Sequence, residues 1–351
     1  MKSVGIDLHK KSITVCVLGL EQNVLKTQRF ACADTPRIDA FFASLGEFQA
    51  VVEATAGYEW LVQRIEPLAR RVLLAHPGKM RIIAESACKS DRYDARVLAE
   101  FLAWGKIPQA YRPTPRQRAH RALVRHRQFL QRERTMVKNK VRRIVSDYNA
   151  DRTDLFSKRG LEALAAMPLQ PEDRFIVDQL LEQLRLLTDQ RQRIAARLKL
   201  FAKEAPEAES RHRELLRSIP GVGEVTTEVV LAELGDVSRF RSARQVVAYA
   251  GLQPGRRQSD KKCVDLGITK RGSGLLRWVL VEASWQLVRR SVHWRSVYEK
   301  LKQRRGSRRS IVAVARRLLT VMVAMIREGV AYRESPGARV GPPNESKTVH
   351  P

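Results

Sequence analysis

The 351-residue sequence predicts an α/β layered domain with a mixed sheet, followed by a mainly α-helical remainder. Three observations predict it. Strand patterns open the chain and then alternate with helix patterns, the order that builds a sheet covered by helices. Two long apolar heptad repeats follow. The charge is also divided: residues 1–110 hold 15 basic and 12 acidic side chains, and the rest hold 50 and 25, most of the net charge of +28.

Val4 to Leu18 is β-branched and apolar around a polar LHKKS, which predicts a strand, a turn and a second strand. Asn23 to Ala33 continues as a third strand. Pro36 to Leu45 is a short helix, and Gln49 to Ala54 is another apolar strand. Gly57 to Leu68 is helical, with Trp60, Leu61, Ile65 and Leu68 on one face. Arg71 to Ala75 is a strand closed by His76-Pro77, and Asp91 to Trp104 is a strong helix. From Tyr111 to Ala150 there are 12 basic and two acidic residues and no glycine. Leu123, Leu130, Val137 and Ile144 recur every seven residues there, with Phe129, Met136 and Val141 beside them. After a break at Gly160 and Pro168, Val177, Leu180, Leu184, Leu187, Ile194, Leu198 and Phe201 repeat the pattern. Two such helices predict an antiparallel coiled-coil arm, within one chain or between chains; an ordinary helical bundle has the same periodicity.

The expected divisions are 1–110 for the α/β domain, 111–205 for the basic arm, 206–332 for a helical domain and 333–351 for a Pro- and Gly-rich disordered tail. A pI near 10.7 argues for a polyanionic partner, nucleic acid above all. Cys16, Cys32, Cys88 and Cys263 form no CxxC pair, against a zinc or disulfide framework. The apolar run Ile311 to Ile326 is too short for a bilayer and holds Arg316 and Arg317. With no signal-peptide pattern at MKSVGIDLHKK, the expected location is the bacterial cytosol or nucleoid, with no membrane partner.

Four carboxylates carry candidate chemistry. Asp7 in VGIDLHK and Glu53 in AVVEATAG end apolar strands, where open α/β sheets bind ligands at the rim. Asp91 and Asp94 share one face at a helix start, where the helix dipole favours negative charge. Singly, each reads as a turn former, a strand-end charge or an N-terminal helix charge. Jointly they are an all-oxygen donor set for a pair of Mg²⁺ or Mn²⁺ ions, which can stabilise attacking and leaving oxygens at phosphorus.

GIDLHK, VVEATAGY and SDRYDARVLAEF resemble, in order and spacing, the Asp-Glu-Asp-Asp (DEDD) site of bacterial insertion-sequence transposases related to the Piv pilin-gene invertases. The resemblance extends over nearly the whole chain. It implies an RNase H-like, RuvC-type catalytic domain, and a recombinase guided by a bridge RNA that pairs with donor and target double-stranded DNA. A homo-oligomer, dimer or tetramer, is implied with it.

Later motifs agree. SIPGVGEVTTEVVLAEL puts Gly221 and Gly223 before a helix, the phosphate-binding turn of a helix-hairpin-helix element or a plain inter-helix turn. Ser259 lies in a basic loop with Arg256, Arg257, Lys261 and Lys262, and Lys270, Arg271 and Arg277 follow as phosphate contacts. By residue type alone it is not distinguished from Ser242 or Ser273. The resemblance selects it, because the family's nucleophilic serine stands five residues after the proline of a Gly-Leu-x-Pro turn, here Pro254. It implies a 5′-phosphoserine intermediate with metal assistance, the two domains meeting across protomers. The loop QSDKKCVDLG, with Cys263 and Asp265, departs from the Gly-rich run common in relatives. Trp278, Trp285 and Trp294 read as core residues. The competing readings are a metal-dependent, Holliday-junction resolvase-like nuclease without a covalent intermediate, and a non-catalytic nucleic-acid-binding protein.

Overall fold

The computed structural model describes residues 1–83, 91–259 and 262–334. The chain divides into two compact units, Met1–Arg112 and the chain from Pro113 onward. In the first, β1 (Lys2–Leu8), β2 (Ser12–Leu18) and β3 (Val24–Ala31) form an antiparallel meander. After α1 (Thr35–Ala43), β4 (Phe48–Glu53) runs parallel to β1; after α2 (Glu59–Ile65), β5 (Arg71–Ala75) runs parallel to β4. The sheet order is β3-β2-β1-β4-β5, the mixed sheet expected. The helix α3 (Pro77–Ile83) was not foreseen, because His76-Pro77 reads only as a strand end. α4 (Asp91–Ala103) completes the unit.

Both faces of the sheet are covered, which is why its central strands are almost continuously apolar. Ile6, Val15, Phe42, Phe48 and Leu61 fill one core. Val51, Ala75, Leu98 and Leu102 fill the other, beside a small contact of Cys16 and Leu18 with Ala95 and Ala99. Gly5 permits that contact: a Cβ there would stand 2.1 Å from the Ala95 carbonyl oxygen and 2.4 Å from the Ala99 nitrogen. α4 therefore lies directly on β1.

The second unit opens with α5 (Pro115–Asp147), capped by Thr114, and continues through a short α6 (Lys158–Ala165) to α7 (Pro171–Lys203). α5 and α7 pair antiparallel, with Arg134 bonded to Thr188, and Tyr148 donating to Asp173 at 2.6 Å. At about 1.5 Å per residue each helix is roughly 50 Å long. Leu130, Val137, Val141 and Val145 pack on Val177, Leu180, Leu184 and Leu187. Two expected seam neighbours face outward instead: Phe129 and Met136 are 53% and 57% exposed. Residues seven apart keep one face, so these two follow each other on the outer side while Leu130 and Val137 take the seam.

Helices α8 (Glu207–Arg217), α9 (Glu224–Leu234) and α10 (Ala243–Tyr249) follow, then β6 (Pro254–Ser259) and β7 (Lys262–Ile268). α11 (Gly274–Arg290), α12 (Val292–Arg305) and α13 (Ser307–Glu328) end the described chain. Their core joins Val230, Leu276, Leu280, Leu318 and Met322. Trp294 is buried, but Trp278 is exposed. Tyr332 accepts from the Trp294 indole at 2.8 Å, so the chain is held to that point; the tail from residue 335 lies outside the described residues.

One buried network ties α5 to α8 and α9. His120 Nε2 lies 2.8 Å from Glu228 Oε2, each side chain 5% exposed. Arg213 binds both Glu228 oxygens, at 2.8 and 3.0 Å, and reaches Glu209 at 2.7 Å. Burial alone pushes the Glu228 carboxyl up, but the His120 and Arg213 hydrogen bonds and their charges outweigh it and bring it from 4.5 to about 2. A depressed carboxylate contributes stability above its unfolded value and loses it as pH falls through the folded one. Acid unfolding monitored by circular dichroism should therefore begin below about pH 4.5, with about 3 kcal/mol lost by pH 2 from this group. Glu228→Gln, which leaves Arg213 a weakened partner, should cost about 3–5 kcal/mol in urea unfolding at pH 7 and flatten that acid limb. An unchanged acid limb in the variant would assign it to other carboxylates.

Candidate functional site

The first unit gathers its candidate acids at one edge of the sheet. β1 and β4 are parallel neighbours with Ile6 beside Val52, so the next residues, Asp7 and Glu53, stand side by side at the strand ends, Asp7 still paired with Thr14 of β2 and Glu53 with Ala75 of β5. α4 runs antiparallel to β1. Near its start Ala95 touches Gly5, and just past its end Trp104 donates to Gln22 beside the opposite end of β1. Asp91 and Asp94, in the first turn of α4, therefore come to the edge that holds Asp7 and Glu53. Asp7 is 7% exposed, and His9 Nε2 stands 2.9 Å from its Oδ2. Glu53 and Asp94 are half-buried. The pairing of His9 with Asp7 was missed, although an i, i+2 spacing at a strand end permits it.

Carboxylate oxygens are the donors that Mg²⁺ and Mn²⁺ take, so the acids suit such an ion in kind. Among the described residues no three His, Cys, Asp or Glu side chains stand close enough to hold a metal ion. Asp7, Glu53 and Asp94 thus do not form such a cluster without a further donor, and Asp91 stands one helical turn before Asp94.

In the second unit the basic loop expected around Ser259 is a β-hairpin. β6 and β7 pair antiparallel, with Gln258 opposite Cys263 and Ser259 opposite Lys262. Ser259 is thus the last strand residue before the hairpin tip; Lys261 lies outside the described residues. Arg256 and Arg257 are on the same strand as Ser259, opposite Asp265 and Val264. The strand signal was hidden by the run of charges, and no Asn-Gly or Asp-Gly marks the turn.

The base of the hairpin is fixed by backbone contact. Gly251 and Gly272 have φ of +68° and +84°, and a Cβ on Gly251 would stand 1.9 Å from the Arg271 carbonyl oxygen. Arg277 Nη1 donates to the carbonyls of Ala250, Arg271 and Gly272 at 3.1–3.2 Å. Expected as a phosphate contact, Arg277 spends that nitrogen on holding the turn. Lys270 and Arg271 are exposed. In the turn between α8 and α9, Gly221 has φ +86° and presses on α11, where a Cβ would meet Gln286 Cβ at 2.7 Å. Gly223 caps α9 and has open space at the Cβ position.

An acid-edged mixed sheet linked to a strongly basic helical unit is the make-up of an enzyme that works on nucleic acid. Residues 4–150 match the DEDD transposase domain, and residues 213–299 match the transposase domain of the IS116/IS110/IS902 family. The protein is a transposase by class. The transposase for insertion sequence element IS1111A of Coxiella burnetii is 28% identical over 343 residues, covering 95% of this chain and 92% of the relative. That for element IS1328 of Yersinia enterocolitica is 27% identical, covering 80% and 82%. The pilin gene-inverting protein of Moraxella bovis is 25% identical, covering 93% and 95%. The chain belongs to the IS110/IS116 family of insertion-sequence transposases. Among the described residues no helix is long and apolar enough to cross a membrane.

Proposed function

We propose that this transposase cuts and rejoins double-stranded donor and target DNA through a phosphoserine intermediate at Ser259, guided by a bridge RNA. The observation that carries the reading is the transposase relationship over both units, 4–150 and 213–299, with candidate chemistry in each. In this reading Met1–Arg112 is an RNase H-like catalytic body, α5 and α7 are a coiled-coil arm, and α8–α9 is a helix-hairpin-helix grip.

Asp7, Glu53, Asp91 and Asp94 would hold Mg²⁺ or Mn²⁺, which when bound supplies charge stabilisation at phosphorus. The Ser259 hydroxyl gives up its proton and attacks the phosphorus. A P–O bond forms to Ser259 while the bond to the 3′ oxygen breaks, leaving a 3′-OH and a 5′-phosphoserine. Attack by a second strand's 3′-OH reverses the exchange and returns the serine, so no ATP is needed. Arg256, Arg257, Lys261 and Lys262 would neutralise the phosphate. The acids and the serine would be brought together in a dimer or tetramer.

The test is a donor substrate whose cleavage traps the intermediate, incubated with protein, Mg²⁺ and the RNA transcribed from the element's flank. A protein–DNA complex that survives detergent and runs as an adduct is expected. Cleavage with no adduct would favour the resolvase-like nuclease, and binding with no cleavage a non-catalytic protein.

A further inference from the structure

At the base of the Ser259 hairpin lies a groove of about 990 Å³. α10, the start of β6, the end of β7 and α13 enclose it. Its charge comes from Arg244, Arg305, Arg308, Arg309, Arg316 and Arg317, and among the described residues no acidic one lines it. Among the described residues none of the six is in an ion pair, although many other arginines of the chain are. The sequence explains the arrangement. α13 buries Ile311, Val314, Leu318 and Met322 in the core, and its opposite face turns Arg309, Arg316 and Arg317 into the groove. Arg316 is held below its ordinary value by burial first and then by the charges of Arg305 and Arg317, while its Nε donates to the Leu252 carbonyl at 3.2 Å. Crowded cations without counter-charges are costly unless an anion joins them. The floor is different in kind: Val247, Leu266, Ile268 and Val312 are apolar, and Leu266 is 53% exposed.

We infer that this groove binds a single strand of DNA, its phosphates on the arginines and its sugars and bases against the apolar floor. A free phosphate would leave most of the volume and the whole floor unused. A duplex would present a phosphate rail to the rim, whereas an unpaired strand brings apolar surface as well. The groove begins at Pro254, and β6 leads from there to Ser259. At about 3.3 Å per residue that path is roughly 17 Å, the length of a few nucleotides. The strand seated in the groove is thereby the one delivered to the hairpin tip. The inference rests on the DNA transposase reading for its ligand and does not require Ser259 to be the nucleophile.

The experiment uses the full chain and a fluorescein-labelled twelve-nucleotide oligothymidylate, with oligouridylate of equal length as the second arm. Arg309→Gln/Arg317→Gln should weaken oligothymidylate binding by about tenfold or more at low salt and lower the log–log salt slope by about 1.4, two contacts at ~0.7 each. Arg132→Gln/Arg143→Gln, an exposed pair on α5, should have a smaller effect. A benzophenone side chain at Leu266 should crosslink to oligothymidylate, and the crosslink should vanish in the Arg309→Gln/Arg317→Gln background. Equal losses in the two double variants, or no crosslink while the oligonucleotide stays bound, would overturn the groove. Preference of the groove for oligouridylate would overturn DNA as its occupant. Failure of the unaltered protein to bind either oligonucleotide would overturn the groove as a single-strand site, and binding retained outside the groove would overturn the groove alone; a failure to cut duplex DNA is what would sink the proposed function.

Discussion

Ser259→Ala should abolish the covalent protein–DNA complex and strand exchange, with a loss on the order of 10⁴-fold or more, as expected for removing a nucleophile. The residue ends β6 opposite Lys262, at the tip of a two-stranded hairpin whose base is locked by Gly251, Gly272 and Arg277. A one-hydroxyl deletion there leaves the backbone ladder intact, so unfolding should shift by no more than about 0.5 kcal/mol. DNA binding should also be near normal, because the cations that carry it are untouched. Ser259→Cys should keep a trace at most, since a soft thiolate matches a hard metal-assisted site poorly. The readout is a denaturing gel of a suicide substrate. Persistence of the adduct in Ser259→Ala would move the nucleophile elsewhere, with Ser242, Ser273 and Cys263 next to be tested. Ser242 and Ser273 already cap α10 and α11 through hydrogen bonds to Gln245 and Leu276, so each has a structural use that Ser259 is not needed for.

Asp91→Asn should lower cleavage and adduct formation together by on the order of 10²–10³-fold, the usual cost of removing one electrostatic contact to a reacting centre. Asn keeps the size and the helix start but supplies no charge to a divalent ion. Nucleic-acid binding should persist, because phosphate neutralisation by Lys and Arg sets affinity. Titrating Mn²⁺ should shift the activity curve to higher metal in the variant. Full cleavage by Asp91→Asn at ordinary Mg²⁺ would remove Asp91 from the site. Paired with Ser259→Ala, the variant separates two failures: loss of cleavage in both is the transposase result, and loss only with the aspartate is the nuclease result.

Much of the first unit was legible in the residues. The meander, the later parallel strands and the α4 helix follow from alternation, turn chemistry and a 3.6-residue period, which are local properties. The strand-end positions of Asp7 and Glu53 were legible for the same reason. The Ser259 hairpin was not, because Arg256, Arg257 and Lys262 obscure the apolar alternation. The short helices α3 and α6 were missed too, since each follows a break that reads as a turn.

The sequence by itself determined which residues can make strands, long heptad helices and a polyanion-binding charge, because these depend on composition and spacing within one segment. Tertiary structure alone decided which segments share a site. Gly5 belongs to β1, yet its meaning lies in the backbone of Ala95 and Ala99, ninety residues on, whose close approach brings the start of α4 to the edge holding Asp7 and Glu53. His120 and Glu228 likewise become a buried pair only when α5 and α9 pack. Six arginines scattered from 244 to 317 become one groove only when α13 buries its apolar face and turns the other outward. Burial and proximity are set by contacts far apart in the chain, and no local pattern encodes them.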